Sequence, residues 1–377
     1  MRTAISLSFG ALALTTLAAC GSGGDTAASS GSAAPGKITV AASDTECKVA
    51  ASEVEAGTTT FSIKNGGSKV TEFYVYAPGD RVMAELENIV PGLTRELIAE
   101  LPAGAYETVC KPGMVGKGIR NAFKVTGEHK SLNEDAKLAE AVAGYKRYIK
   151  AQSDTLLIKT QEFVDAVKAG KIDKAKELFP VARTYWERIE PVAEIFGDLD
   201  PAIDAREADL AEGEEWTGFH RIEKDLWIKK DISKDGPIAD KLIADVKTIV
   251  DKSNAAELTP LNLANGAKEL LDEVATGKIT GEEDIWSHTD LWDFDANLEG
   301  SKAAVQALRP VLEERAPDLV KTLDQKFAAA EAALDAHQKG DGWKLHNELS
   351  KAELKTLSDA INALAEPISK IAPAITK

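Results

Sequence analysis

The alternation of apolar and polar residues changes its period once along the chain. From residue 37 to residue 127, short apolar runs rich in Val, Thr, Phe and Tyr are separated by turns that contain Gly, Pro or Asn, a pattern typical of β-strands. The runs are KITVAA, TTTFSIKN, EFYVYAP, TRELIAEL, YETVCK and NAFKVTG. Several short strands within one stretch of this length predict a β-sandwich.

The second part of the chain, residues 131–377, has the period of helices. It begins with Ser131-Leu132-Asn133-Glu134, which has the form of a capping box because a serine oxygen and a carboxylate can bond to the first free amides. The predicted helices are 131–169, 173–196, 201–230, 236–254, 260–277, 290–315, 318–338 and 341–365. Helices of this length joined by short loops predict an all-α bundle, or two four-helix bundles side by side.

The first residues have the order of an export signal. Met1-Arg2 precedes an apolar stretch without acidic residues, which ends in Leu-Ala-Ala-Cys20 and resembles a lipobox. We expect residues 1–19 to be a lipoprotein signal peptide and Cys20 to carry two acyl chains, which together anchor a protein stably. The alternatives are an ordinary secretory signal and a short membrane anchor.

The remaining chain is expected to contain two domains. Residues 20–36 contain almost nothing that a core could bury and are predicted to be a flexible tether. A β domain at 37–127, a linker at 128–130 and a helical domain at 131–377 follow. The formal net charge of −16 excludes nucleic acid as a partner, because phosphate contacts need a basic face. Cations are more natural partners, although an acidic surface also serves solubility.

Two cysteines of the β domain leave two interpretations open. An exported chain in which Cys47 and Cys110 are the remaining thiols favours a disulfide. The segment from Tyr106 to Met114 instead resembles the last hairpin of a cupredoxin, where a cysteine and a Pro-Gly loop present metal ligands. No histidine precedes His129 in the sequence, so the two-histidine copper site of electron-transfer cupredoxins is excluded.

A different ligand set is the second interpretation for this domain. Glu72 opens the strand EFYVY and is a candidate to join the two thiolates of Cys47 and Cys110, with Met114 as a soft addition. Thiolates favour copper and carboxylates favour harder ions, so this set predicts copper or ferric iron. The alternative is that Glu72 is an ordinary charge on an edge strand.

Acidic residues and one histidine recur at helical spacing in the second domain. His220 and Glu223 are three residues apart, as are Glu187 and Glu190, so each pair lies on one side of a helix. Asp204 opens a further predicted helix. Inward carboxylates on neighbouring helices, one of them beside a histidine, are how helical bundles bind iron-like metals.

Five segments in order closely resemble the imelysin family, with a cupredoxin-like module ahead of them. The segments are ARTYWERIEP, FGDLDPAIDARE, WTGFHRIEKDLW, TPLNLANGAKELLDEV and ITGEEDIWSHTDLWDFDANLEG. The resemblance covers almost the whole mature chain. It implies metal ligands at Glu187, Glu190, Asp204, His220 and Glu223, and metal-binding cysteines at Cys47 and Cys110. Glu283 is an added candidate from the last segment, with His288 and Asp290 as alternatives.

The resemblance also implies a role outside the cytoplasmic membrane in iron uptake. We expect capture of Fe²⁺ or Fe³⁺ by the helical domain, with copper or ferric iron in the β domain. The implied partners are a membrane iron permease and a heme peroxidase of the same system. The family is also catalogued with peptidases, but a zinc peptidase helix needs a second histidine that the segment from His220 lacks. A scaffold lipoprotein that needs no metal is the remaining alternative.

Overall fold

Residues 36–197, 199–210 and 212–377 are described by a computed structural model of the protein. The expected signal peptide, the lipid site at Cys20 and the tether up to residue 35 lie outside the described residues. Within the described part of the chain, no helix combines the length and the apolar character that crossing a bilayer requires.

The first domain is a sandwich of two sheets. Its strands are β1 Lys37–Ala42, β2 Cys47–Val49, β3 Glu53–Glu55, β4 Gly57–Asn65, β5 Thr71–Ala77, β6 Arg81–Ile89, β7 Thr94–Leu101, β8 Gly104–Pro112 and β9 Ile119–Thr126. One sheet has the order β2-β1-β4-β7 and the other the order β3-β9-β8-β5-β6. β1 pairs with β4 and β3 with β9 in parallel, while the other pairs are antiparallel.

The core of the sandwich lies between the inner faces of these sheets. Along β1 buried and exposed residues alternate, as expected when one face of a sheet packs on a core. Phe61 of β4 lies between Phe73 of β5 and Phe123 of β9, with ring centroids 5.2 and 5.7 Å away. Such tilted aromatic contacts add to the free energy gained from burying the rings.

The second domain is helical. Its helices are α1 Ala136–Lys168, α2 Ile172–Glu187, α3 Leu199–Asp204, α4 Gly218–Lys224, α5 Gly236–Ala255, α6 Pro260–Thr276, α7 Asp290–Arg315, α8 Pro317–Asp335, α9 Lys351–Ile368 and α10 Ile371–Ile375. Short 3₁₀ turns lie at Leu132–Glu134, Glu190–Phe196, Glu207–Asp209, Lys278–Thr280 and His346–Glu348. A small hairpin is formed by β10 Gln338–Lys339 and β11 Gly342–Trp343. A β-sandwich followed by an all-α domain is therefore confirmed.

Three predicted helices are divided in the structure. The helix expected at 173–196 ends as α2 at Glu187 and is followed by a 3₁₀ segment at Glu190–Phe196. The helix expected at 201–230 is replaced by α3, a 3₁₀ turn, α4 and a single π-helical turn at Asp225–Lys229. The helix expected at 341–365 starts only at Lys351, because Ser350 caps α9 and the preceding residues form the hairpin and a 3₁₀ turn. The pattern of polar and apolar residues alone did not predict these breaks.

Helix α6 ties the two domains together. The side-chain amide of Asn265 donates to the carbonyl oxygen of Ile98 on β7 over 2.9 Å. Two helical turns later, Asp272 forms an ion pair with Arg95, which also lies on β7. The same strand edge therefore makes both a backbone contact and a charged contact with one helix.

The disulfide interpretation is the one found in the structure. Cys47 at the start of β2 and Cys110 on β8 are joined, with 63 positions of sequence separation. Because β2 belongs to one sheet and β8 to the other, the bond links the two sheets across the buried core. Both cysteines are buried.

Replacing both Cys47 and Cys110 by alanine is expected to lower the unfolding free energy of the β domain by about 4 kcal/mol, because a long loop of the unfolded chain is no longer closed. Hydrogen–deuterium exchange of peptides from residues 37–126 measures the loss. Peptides from α8 and α9 are the internal control and should keep their protection. Unchanged exchange in the β-strands of the double variant would contradict the prediction.

Candidate metal centre

Four parts of the helical domain bring acidic side chains to one buried place. Helix α2 supplies Glu187 at its last turn, and α3 ends with Asp204. Helix α4 contributes His220 and Glu223, both of which are buried. The segment 281–289, which connects a 3₁₀ turn to α7, contributes Glu283.

A glycine allows α3 and α4 to meet closely. Gly218, the first residue of α4, has φ of +88°, and a Cβ atom there would lie 2.2 Å from the carbonyl oxygen of Ile203. Any other residue would clash with the backbone and adopt a strained conformation. The glycine therefore permits the contact that sets His220 beside Asp204.

The imidazole of His220 lies between two carboxylates on its Nε2 side. This nitrogen is 3.5 Å from Asp204 Oδ1 and 3.5 Å from Glu283 Oε1. His220 is only 1% exposed, and its Nε2 has no hydrogen-bond partner. One ligand atom from each of the three residues lies within 4.8 Å of the others, a spacing that suits a shared metal ion.

The opposite nitrogen of His220 contacts Glu223. His220 Nδ1 is 3.0 Å from Glu223 Oε2. The other oxygen of Glu223 accepts hydrogen bonds from the backbone amides of Trp286 (3.1 Å) and Ser287 (2.7 Å). Both oxygens of Glu223 are therefore engaged within the protein. Asp284 lies on the same side of the ring, 3.8 Å from Nδ1.

One arginine reaches most of these acids. Arg183 on α2 is fully buried and forms ion pairs with Asp204 and Glu187. Its guanidinium is also 2.8 Å from Glu283. Asp284 and Asp293 lie 3.4 and 3.5 Å from its Nε. The charge of the buried guanidinium is therefore balanced by several carboxylates.

A lysine completes the set of cations. Lys278, in the turn after α6, is fully buried. Its Nζ donates to Glu187 Oε2 over 2.9 Å and to the two oxygens of Glu190 over 2.8 and 2.9 Å. The amide of Asn297 on α7 donates to the same two carboxylates over 2.8 and 2.7 Å. Glu187 and Glu190 are thereby satisfied by protein groups.

The charges at the centre influence one another strongly. Burial opposes the charged form of His220, as does Arg183, but Glu223, Glu283 and Asp204 raise the pKa of its imidazole to about 10. Burial would raise the pKa of Glu283, yet Lys278, the nearby ring of His220 and Arg183 hold it well below its usual range. The centre thus keeps Glu283 ionised beside a cationic ring.

The comparisons with known proteins agree with this architecture. The profile of the family described as Imelysin matches residues 141–371, and the profile of the Cupredoxin-like domain matches residues 9–119. A curated protein of Escherichia coli O157:H7, the iron uptake system component EfeO, is 37% identical over 89% of this chain and 90% of its own length. The chain belongs to the EfeO family of imelysin-domain proteins. Proteins of the same name from Escherichia coli strain K12 and Shigella flexneri are each 36% identical over the same shares of both chains.

The residues expected as ligands in the imelysin domain separate into two sets. Asp204, His220 and Glu283 come together as one group of ligand atoms, and His220, Glu223 and Asp284 as a second. Glu187 and Glu190 belong to neither group among the described residues, because Lys278 and Asn297 hold them. Of the alternatives to Glu283, Asp290 accepts a hydrogen bond from the backbone amide of Asp284 over 3.2 Å.

The thiolate site expected in the cupredoxin-like domain is not formed, which is a correction. Cys47 and Cys110 are joined as a disulfide and offer no thiolate. Glu72 pairs across the sheet with Lys111, whereas Cys110 pairs with Phe73. Because successive side chains point to opposite faces of a strand, Glu72 lies on the outer face, away from the sulfur atoms.

Met114 does not complete a site there either. It lies in the turn after β8, with φ of +60°, and its backbone amide bonds to the carbonyl oxygen of Lys111 over 3.0 Å. The four expected residues of this domain are therefore not brought together as one ligand set. The copper site that they predicted has no thiolates in this structure.

Arg183, Lys278 and Asp284 are the parts of the imelysin centre that sequence reasoning missed. A signal for Arg183 was present, since it precedes Glu187 by one helical turn inside the segment ARTYWERIEP. Asp284 follows Glu283 directly. Nothing in the local sequence distinguishes Lys278 from a solvated lysine after a helix-ending glycine.

Replacing Arg183 by methionine is expected to lower the unfolding free energy by about 3–5 kcal/mol, because several carboxylates would stay buried without their counter-charge. Urea unfolding followed by the far-UV circular dichroism of the helices measures the change.

The matched control for that variant is Arg309→Met. Arg309 forms a two-bond ion pair with Asp324, at 2.6 and 2.9 Å, on the surface of the helical domain. Removing an exposed pair should cost at most about 1 kcal/mol. Equal losses in the two variants would contradict a special role for the buried guanidinium.

Proposed function

We propose that this protein captures iron outside the cytoplasmic membrane, at Asp204, His220 and Glu283, as a component of an iron-uptake system. The observation that carries the proposal is the position of His220 Nε2, which is buried, makes no hydrogen bond and lies 3.5 Å from a carboxylate oxygen on each of two other chain segments, where an ion would replace its proton. A buried nitrogen without a partner is costly unless something binds it. The relatives are named as components of an iron-uptake system, which supports iron as the bound ion.

The donor set favours iron over softer metals. Two carboxylates and one imidazole are hard to borderline ligands, which suit Fe²⁺ or Fe³⁺ better than Cu⁺. No thiolate or thioether takes part in the two groups of candidate ligands found among the described residues. The remaining coordination positions of the ion would be taken by water or by a neighbouring carboxylate.

Glu223 acts in this proposal as the residue that orients the histidine. A carboxylate on one ring nitrogen fixes the tautomer and the ring plane, so that the other nitrogen faces the metal. The Oε1 atom of Glu223 is already occupied by the amides of Trp286 and Ser287. The histidine and glutamate of the motif thus have different tasks, ligation for one and positioning for the other.

The same contacts argue against the peptidase alternative. A zinc peptidase needs a glutamate that can take a proton from a metal-bound water. Both oxygens of Glu223 are instead bonded to His220 and to the backbone. The relatives reported above are named as uptake components.

The location and the partners complete the proposal. Export and anchoring through Cys20 would keep the protein at the outer side of the cytoplasmic membrane, within reach of a membrane iron permease. A heme peroxidase of the same system would be the second partner. These steps rest on the lipobox resemblance and on the family resemblance of the whole chain.

Titration of Fe²⁺ under anaerobic conditions into the purified mature protein tests the iron site. We expect one ion per chain, and no binding at this site in the His220→Ala and Asp204→Asn variants, because each loses a ligand. Glu223→Gln should still bind, with affinity lowered by about 10- to 100-fold, as for other residues that orient a ligand.

Asp324→Asn is the matched control, since it makes the same chemical change at an exposed carboxylate on α8. It should bind iron like the unaltered protein. Iron binding that survives both His220→Ala and Asp204→Asn would exclude the proposed site, and a Glu223→Gln variant as inert as His220→Ala would make Glu223 a ligand.

A further inference from the structure

The ammonium group of Lys278 occupies a position that is built like a second cation site. It is enclosed by Glu187, Glu190 and Glu283, whose nearest oxygens are 2.9, 2.8 and 3.8 Å from Nζ. These carboxylates come from the end of α2, from the turn that follows it and from the segment 281–289. The lysine side chain is only 1% exposed, so water does not solvate its ammonium group.

The oxygens around the ammonium are held in place by a further residue. Asn297 on α7 donates to Glu187 Oε2 and Glu190 Oε2 over 2.8 and 2.7 Å. Carboxylates on adjacent elements that converge in a bundle core are the arrangement with which such folds hold two metal ions. In this protein the ammonium group of Lys278 occupies one of two such positions.

One oxygen lies between the two cation positions. Glu283 Oε1 is 3.5 Å from His220 Nε2, on the iron side, and 3.8 Å from Lys278 Nζ, on the other side. In two-metal sites a bridging carboxylate occupies the equivalent place, with the ions about 3.5–4 Å apart. A second iron ion would therefore need the space and the oxygens that the ammonium takes.

We propose that Lys278 is a tethered cation in the second metal position, and that it limits the centre to a single iron ion. This inference deepens the proposed function and rests on it. The positive charge of Lys278 repels a second ion, and its side chain fills the position that this ion would take. The ammonium also neutralises Glu187 and Glu190 when no iron is bound. Lys278 thus determines stoichiometry without being a ligand.

The test is the Lys278→Met variant, which keeps an unbranched side chain and removes the charge. Fe²⁺ bound per chain is counted by mass spectrometry of the metal after anaerobic gel filtration. We expect two ions in Lys278→Met and one in the unaltered protein. Lys278→Arg keeps the charge and should bind one. Lys302→Met removes an exposed lysine that pairs with Glu331 on the surface, and it should also bind one.

The double variant Lys278→Met/His220→Ala separates the two positions. It lacks the proposed iron site and should bind one ion at the vacated lysine position. If the unaltered protein binds no iron, the proposed function fails; if it binds one and a folded Lys278→Met also binds one, only the present inference fails.

A folding defect of Lys278→Met is itself informative. Three acidic groups without their cation would destabilise the variant, and an ion in the vacated position should restore it. Thermal unfolding with increasing Mn²⁺ or Fe²⁺ then shows a rise in Tm that continues beyond the first equivalent. A variant that stays unfolded at saturating metal concentration would overturn the inference.

Discussion

The guanidinium of Arg183 is the constraint on which the centre of the helical domain depends. It is fully buried, and its acidic partners come from α2, α3, α7 and the segment 281–289. Removing several charges from water is costly, and mutual attraction offsets this cost only when every group has partners. The arginine makes it feasible to bury the acidic side chains of the centre, among them the carboxylates of the proposed iron site.

The division of the chain into a β domain and a helical domain could be predicted from hydrophobic period alone, since the change from one period to the other falls between the last strand and the first helix. The outer face of β5 could not be predicted from this period. Every residue of this strand is buried, so the alternation that separates the faces of a half-exposed strand is missing. Glu72 is a candidate because it opens the strand EFYVY, and the sequence pattern does not reveal that the register sets it and Cys110 on opposite faces.

The candidate site was predictable where its residues repeat at helical spacing. His220 and Glu223 follow this rule, Asp204 stands at the start of a predicted helix, and Glu283 follows from the family resemblance of its segment. The tertiary contacts were not predictable, because they join positions far apart in sequence. Glu187 and Lys278 are 91 residues apart, and Arg183 and Glu283 are 100 apart. A pattern within one segment carries no information about such partners, so Glu187 and Glu190 resembled metal ligands as much as ion-pair acceptors.

The internal cations also bear on how a carrier can release its ion. In many small metal-binding domains the metal is the main counter-charge of its ligands, so removing it unfolds the site. Here Arg183 and Lys278 already neutralise part of the acidic cluster without any metal. The hydrogen bonds from the backbone fix Glu223, which in turn contacts His220 Nδ1. Protein groups therefore set much of the geometry of the centre, so release of an ion from the proposed site would leave these contacts in place.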